Sequence, residues 1–212
     1  MKLYGYWRSS AAYRVRIALN LKQLSFENLP VHLVKNGGEQ HSDSYKALNP
    51  AELVPTLVDG DFSLNQSLAI IEYLEEIYPQ PALLPLEAGA KAQVRALALD
   101  IACDIHPLNN LRILQYLTGS LALTEQQKQQ WILHWLHCGF TAFEQRLSAS
   151  AGHFCFGDTV TLADICLIPQ VYNALRFGLD MSPFPTINAV HHQCLQLAAF
   201  ALAAPEHQPD AQ

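Results

Sequence analysis

An α/β domain followed by an all-helical one is the fold class this sequence predicts, and three observations predict it. Strand-like and helix-like runs alternate up to residue 78; Pro79, Pro81 and Pro85 then interrupt the chain; beyond them strand signals vanish while Ala and Leu recur at helical spacing. The boundary is expected near residue 82, giving an α/β domain of 1–82 and a helical domain of 83–212.

The elements follow in order. Residues 2–7 carry Leu3, Tyr4 and Tyr6 in a strand-like run, and Ala11, Val15, Ala18 and Leu19 then mark the inner face of a helix. Residues 26–33 read as a second strand, and a polar stretch with Gly37 and Gly38 leads to a short helix over 42–47. Pro55 to Val58 reads as a strand, Asp59-Gly60 as a hairpin turn, and Phe62 to Leu64 as the returning strand. Ser67 then begins a helix whose apolar face is Ile70, Ile71, Leu74, Ile77 and Tyr78. The order is β-α-β-α-β-β-α, with the first two strands parallel because a helix lies between them. In the second domain, Thr161-Leu162-Ala163-Asp164 has the form of a capping box, with Val160 and Ile165 placed to staple it. The tail from Pro205 is polar and is expected to fray.

Half of the 212 residues are hydrophobic, which supplies ample core for domains of this size. A net charge of −6 argues against nucleic acid or an anionic membrane as a partner. No apolar run approaches the roughly 18 residues of a membrane span, and the N-terminus lacks the charged and apolar regions of a secretory leader. The five cysteines, Cys103, Cys138, Cys155, Cys166 and Cys194, are odd in number and never form CxxC, a pattern of reduced thiols and a cytoplasmic location.

The chemistry is concentrated at the first strand-to-helix turn, Arg8-Ser9-Ser10. A helix start presents unpaired N–H groups and a partial positive charge. A serine there either caps the helix in the ordinary way or joins those N–H groups in holding an anion, a thiolate among them. His134 and His137 have a metal-like spacing without an HExxH pattern, and no metal is expected. Cys103 and His106 have the look of a nucleophile and its base, but catalytic partners rarely lie in one short run, and Cys103 is read as structural.

Four segments carry a resemblance: SSAAYRVRIAL from Ser9, NQSLAIIEYLEE from Asn65, TLADICLIPQV from Thr161, and the closing QPD. Together they resemble the zeta-class glutathione transferases, whose first motif reads SSCxWRVRIAL and which include maleylacetoacetate and maleylpyruvate isomerases. The resemblance spans nearly the whole chain. It implies a thioredoxin-like first domain, a helical second domain, a homodimer, and glutathione as a cofactor that is not consumed. It also implies cis–trans isomerisation of maleylacetoacetate to fumarylacetoacetate in tyrosine and phenylalanine breakdown, by thiolate addition, rotation and elimination; maleylpyruvate isomerisation and general glutathione conjugation are the alternatives. Ala11 stands where the signature has Cys, and Tyr13 where it has Trp, so no protein thiol is available at position 11.

The resemblance assigns roles residue by residue. Ser9 and Ser10 are the candidate thiolate partners, undecided between them, with Arg14 either adding field or standing on the surface. Val54 before a cis Pro55 implies backbone pairing with the cysteinyl part of glutathione, Gln66 and Ser67 imply a hold on the γ-glutamyl end, and Gln40 on the glycyl end. His106 and Asn110 imply contacts from the second domain, and His106-Pro107 a kinked helix. Arg8, Arg112 and Arg176 imply the grip on the substrate's two carboxylates, which a guanidinium fork suits; the alternative for each is snorkelling to the surface.

Overall fold

Period-two burial decides the first strand. The computed structural model describes every residue from Met1 to Gln212, and in β1 (Lys2–Gly5) Leu3 and Gly5 are buried while Lys2 is exposed. The strand is shorter than the run 2–7 because Tyr6 and Trp7 leave the sheet to build a turn, closed by the Ser9 N–H on Tyr6 O at 2.9 Å. α1 (Ser10–Leu21) crosses over to β2 (Glu27–Pro30), which pairs parallel to β1. Short helical turns over 35–41 and α2 (Asp43–Leu48) precede β3 (Thr56–Asp59), antiparallel to β1, and the hairpin partner β4 (Phe62–Asn65). α3 (Ser67–Ile77) follows. The sheet order is β2-β1-β3-β4, the thioredoxin-like arrangement expected. Leu3, Val15, Ile17, Leu19, Leu57, Ile70 and Leu74 are sealed between sheet and helices.

The chain divides into two units, Met1–Ala82 with Gln196–Gln212, and Leu83–Leu195. The sequence reading placed all of 83–212 in the second domain and expected the end to fray; the C-terminal segment instead packs in the first unit. α9 (Ala198–Ala203) lies on α1, with Phe200 fully buried. The Tyr13 hydroxyl donates to Phe200 O at 3.3 Å, Asn20 Nδ2 to Ala199 O at 3.0 Å, and Arg16 Nε to Ala203 O at 3.0 Å. Past Pro205, Asp210 Oδ2 accepts from the Trp7 N–H at 3.0 Å. The physical reason is that α1 is buried almost all round, and a helix of that kind needs a cover on its second side.

The second unit is helical. α4 (Ala88–Leu99) passes into a wide π-type turn over Asp100–Ile105 and a tight 3₁₀ turn over His106–Asn109, after which α5 (Leu111–Gly119) begins. The expected kink at His106-Pro107 is thus a full break: Pro107 offers no N–H to the preceding turn, and Asn110, in extended conformation, caps α5 by accepting from the Arg112 N–H. α6 (Glu125–Ser150) starts at a capping box of Thr124 and Gln127. At Gly139 a β-carbon would come within 2.5 Å of Ile105, so glycine lets α6 approach the wide turn. α7 (Leu162–Arg176) and α8 (Pro185–Leu195) complete the unit around Val94, Ile101, Ile132, Phe140, Phe143 and Leu167. The box at the start of α7 forms through Asp164: Oδ2 accepts from Thr161 N and Oγ1, and Oδ1 from the Cys155 N–H. Burial pushes this carboxyl above its ordinary range.

Candidate active site

Strand register brings four of the singled-out segments to one end of the first unit's sheet. Gly5 ends β1 opposite Pro30 at the end of β2, so the turn bearing Ser9 and the loop bearing Gln40 leave the sheet side by side. Thr56 opens β3 opposite Tyr4 and opposite Asn65, the last residue of β4. The dipeptide before Thr56 is Val54-Pro55, and the pair after Asn65 is Gln66-Ser67. In open α/β sheets this edge, outside the carboxyl ends of parallel strands, is where ligands bind.

At the α1 start Ser9 is the cap, its Oγ accepting from the Ala12 N–H at 3.2 Å. A hydroxyl that accepts still has its own hydrogen to donate. Ser10 is the first helical residue and is buried. Arg14, which the sequence left open between a field and a surface role, is only 2% exposed, so the surface role is excluded. Its Nη1 donates to Ser67 Oγ at 3.3 Å, tying the starts of α1 and α3 together. Ser67 begins α3, as the sequence reading has it, and is buried; the cap before it is Gln66, in the left-handed region at φ 68°.

The Val54–Pro55 peptide is cis. Neither the N–H nor the C=O of Val54 is hydrogen-bonded within the chain, which leaves both for an extended peptide. Buried Asn49 holds this loop: Nδ2 donates to Leu53 O at 2.7 Å and Thr56 Oγ1 at 3.2 Å, while Oδ1 accepts from Asn65 Nδ2 at 3.0 Å. Tyr45 adds its hydroxyl on Leu53 O at 2.7 Å.

Gln40 is buried, 6% exposed, rather than free on the surface. Its Nε2 lies 3.4 Å from Leu33 O and 2.9 Å from His41 Nε2, and its Oε1 is buried without a partner. Gly38, at φ +104°, makes room for this amide; a β-carbon there would meet it within 3.0 Å. His41 Nδ1 meets Glu52 Oε2 in a short contact, and that hydrogen bond holds the Glu52 carboxyl below its usual range. Glu52 itself sits in the left-handed region at φ 56°. Asn49, His41 and Glu52 carried no motif signal, because their contribution comes from contacts between loops; adjacency to Gln40 and to Val54-Pro55 was the only hint.

The remaining candidates are described within their own units. Arg8 is exposed, its guanidinium 5.2 Å from the Trp7 ring centroid. In the second unit His106 is half-buried, with Nε2 at 3.5 Å from Asn110 Nδ2. Arg112 is exposed on the first turn of α5. Arg176 ends α7, with Nη2 donating to Asn173 Oδ1 at 2.8 Å and its guanidinium 4.0 Å from the Phe177 ring centroid. His134 stands beside Cys138 on α6, and His137 against the Phe184 ring.

Comparison with known proteins places this chain in a class. Residues 3–82 match the family described as the glutathione S-transferase N-terminal domain. A Vibrio cholerae protein named probable maleylacetoacetate isomerase is 58% identical over 209 residues, covering 99% of this chain and 97% of that one. A holo structure of maleyl pyruvate isomerase, titled a bacterial glutathione S-transferase in the zeta class, is 50% identical, covers 100% of both chains and superposes with a TM-score of 0.97. Maleylacetoacetate isomerase from Methylobacterium extorquens AM1, solved with bound malonate and glutathione, is 42% identical over 100% of both chains with a TM-score of 0.96. The chain belongs to the zeta-class glutathione transferases, within their group of maleylacetoacetate and maleylpyruvate isomerases.

Proposed function

We propose that this chain is a glutathione-dependent isomerase that converts maleylacetoacetate to fumarylacetoacetate and leaves the glutathione pool unchanged. The observation that carries the reading is the α1 start: Ser9 caps the helix with its hydroxyl hydrogen still to give, while Ala11 removes the signature thiol. This helix start therefore holds charge without a protein thiol of its own, as a site for an external thiolate would.

The residues fit glutathione. The unbonded backbone of Val54 suits its peptide, the Ser67 hydroxyl beside buried Arg14 suits its γ-glutamyl carboxylate, and the buried Gln40 amide, not fully partnered within the chain, supports its reading at the glycyl end. When bound, glutathione supplies the thiolate whose addition turns the cis double bond single and whose departure restores it as trans. The chain's part is electrostatic. The Ser9 hydroxyl and the N-terminus of α1 hold negative charge at the sulfur, lowering a thiol pKa of about 8.5 by roughly one to two units. Ser10 supplies a neighbouring hydroxyl, and Arg14 a fixed buried cation. Gln66 is the exposed partner of Ser67 at the γ-glutamyl end, and His106 and Asn110 are read as further glutathione contacts. Arg8 in the first unit and Arg112 and Arg176 in the second are read as the carboxylate grips of the diacid. The malonate in the Methylobacterium structure, itself a small diacid, supports that substrate class.

The test mixes purified protein with maleylacetoacetate, with and without glutathione, and follows the cis enone while thiols are counted. Isomerisation that requires glutathione and leaves thiol constant is the expected result. A rate indifferent to glutathione would overturn the reading, and stoichiometric thiol loss would replace it with a conjugating transferase. Maleylpyruvate is the second substrate to run in competition, because the maleylpyruvate isomerase likeness extends over the whole chain. Ser9→Ala should lower kcat about tenfold or more, the effect of roughly one unit of thiol pKa.

A homodimer in the cytoplasm, serving tyrosine and phenylalanine breakdown, completes the proposal. Exposed Leu86, Tyr116 and Leu121 are apolar surface of the kind an interface covers, five free cysteines suit a reducing compartment, and no helix is long and apolar enough to cross a membrane. Light scattering on the purified protein checks the dimer.

A further inference from the structure

Arg176 stands on the last turn of α7, and its neighbours fix it there. Buried Asn173, one turn back, accepts from its Nη2 at 2.8 Å. A guanidinium only donates, so the bonded end of this amide is its oxygen. The ring of Phe177, the next residue, lies against the guanidinium with its centroid 4.0 Å from the central carbon. Phe177 is held in turn from α6, where Gln129 Nε2 donates to the Phe177 carbonyl oxygen at 2.6 Å. A carbonyl only accepts, so this second amide also has one reading. The backbone beyond is closed by the Gly178 N–H on Leu175 O at 2.9 Å and the Leu179 N–H on Ala174 O at 3.0 Å. Gly178 adopts the left-handed conformation, at φ 76°, with which helices commonly end.

A cation at a helix C-terminus gains from the dipole whichever way its side chain turns within the last turn. An oxygen on one Nη and a ring against the guanidinium do more, because together they select one orientation of a side chain that otherwise samples many. A fork fixed in advance loses less freedom when it grips a carboxylate. We propose that Asn173, Phe177 and Gln129 are positioning residues that hold Arg176 in one orientation for a carboxylate of the diacid substrate. The inference rests on the reading of Arg176 as a carboxylate grip. Asn173 acts on the fork directly and Phe177 on its plane. Gln129 acts at one remove, by fixing the residue that carries the ring. None of the three has to touch the substrate, so their effect reaches it only through Arg176.

The test is isothermal titration calorimetry of the full-length, glutathione-loaded protein with malonate, a small diacid that has no double bond to isomerise. Asn173→Ala should weaken malonate binding about tenfold, the scale of one hydrogen bond to a charged group. Phe177→Leu should weaken it about threefold, the scale of an exposed cation–ring contact. Gln129→Leu, at a half-exposed position of α6 where folding is not at stake, should move affinity in the same direction. Arg176→Ala should weaken binding further, and adding Asn173→Ala to it should change nothing more, a non-additivity that a purely structural Asn173 would not produce. Glutathione affinity should stay unchanged in Asn173→Ala and Gln129→Leu. Malonate affinity that falls in Arg176→Ala but holds in Asn173→Ala and Gln129→Leu would overturn the proposal and leave Arg176 as the grip; so would losses from Asn173→Ala and Arg176→Ala that simply add. Malonate binding that is absent, or indifferent to Arg176→Ala, would overturn the grip and the proposal with it, while the isomerase reading would still be decided by the thiol-balanced assay.

Discussion

Lys22 and Gly38 show how single residues set the loops around the site. The Lys22 ammonium has no exposed surface and donates to Glu75 Oε2 at 2.7 Å, Tyr78 O at 2.6 Å and Pro81 O at 3.1 Å. It fastens the end of α3 and the start of the proline-rich connection to the end of α1. Lys22→Met removes the cation and leaves its three acceptors in a dry site, a loss of about 3–5 kcal/mol by the usual cost of breaking a buried pair; urea unfolding measures it. Gly38→Ala acts differently. The left-handed backbone at φ +104° and a β-carbon within 3.0 Å of the Gln40 amide both oppose the new methyl. Stability should fall by about 1 kcal/mol or more, and glutathione Kd should rise about tenfold, or 1.4 kcal/mol, by calorimetry. Gln40 was legible in the sequence only through resemblance; the glycine that seats it was legible only as a turn, because the clash that forbids a side chain there is with a residue two positions on.

At the scale of elements, helix starts are where local sequence and local structure agree best. Ser9, Thr124 and Thr161 all stand at helix starts, and the box at Thr161 was readable because its partner is three residues away. The start of α4 is a clear case for pH. Glu87 caps it by accepting from the Gly89 N–H at 2.8 Å and the Ala90 N–H at 2.6 Å, and these bonds hold its carboxyl below the ordinary range. A carboxyl depressed in the folded state stabilises it above the unfolded pKa, and that contribution fades as pH falls through the folded value. Glu87→Gln should therefore flatten the loss of thermal stability on the acid side, below about pH 4.5, while lowering Tm at neutral pH; melting curves from pH 3 to 7 check both. The break at His106-Pro107 was half legible. Proline announced an interruption, but the wide turn before it and the new cap at Asn110 depend on how Gly139 of α6 approaches Ile105, which no local pattern records.

For the whole molecule, the C-terminal segment changes what the first unit is. α9 and the residues after it complete the thioredoxin-like unit by covering α1, and Phe200 is the plug of that cover. Phe200→Ala should cost about 3–5 kcal/mol, the range for emptying a buried aromatic site. Because α1 carries Ser9 at its head, the same variant should also weaken glutathione binding, read by calorimetry at a temperature where it is still folded. Arg16 belongs to the same seam: burial draws its pKa down to about 10, and its fork is spent on Ala203 O and Trp7 O at 3.0 and 2.9 Å. The sequence offered a polar tail and hence a frayed one. Polarity there marks hydrogen bonding to a neighbour, as Asp210 on the Trp7 N–H shows.

The order of strands and helices, the parallel first pair, the capped start of α1 and the missing thiol at Ala11 were determined by the sequence, since each follows from neighbours within a few residues or from a covalent fact. Which serine caps, where Arg14 goes, that Gln40 is buried and where the last residues pack were decided by the tertiary structure. Those outcomes rest on burial and on hydrogen bonds between segments far apart in the chain, and a buried polar group takes its meaning from whichever partner folding brings to it.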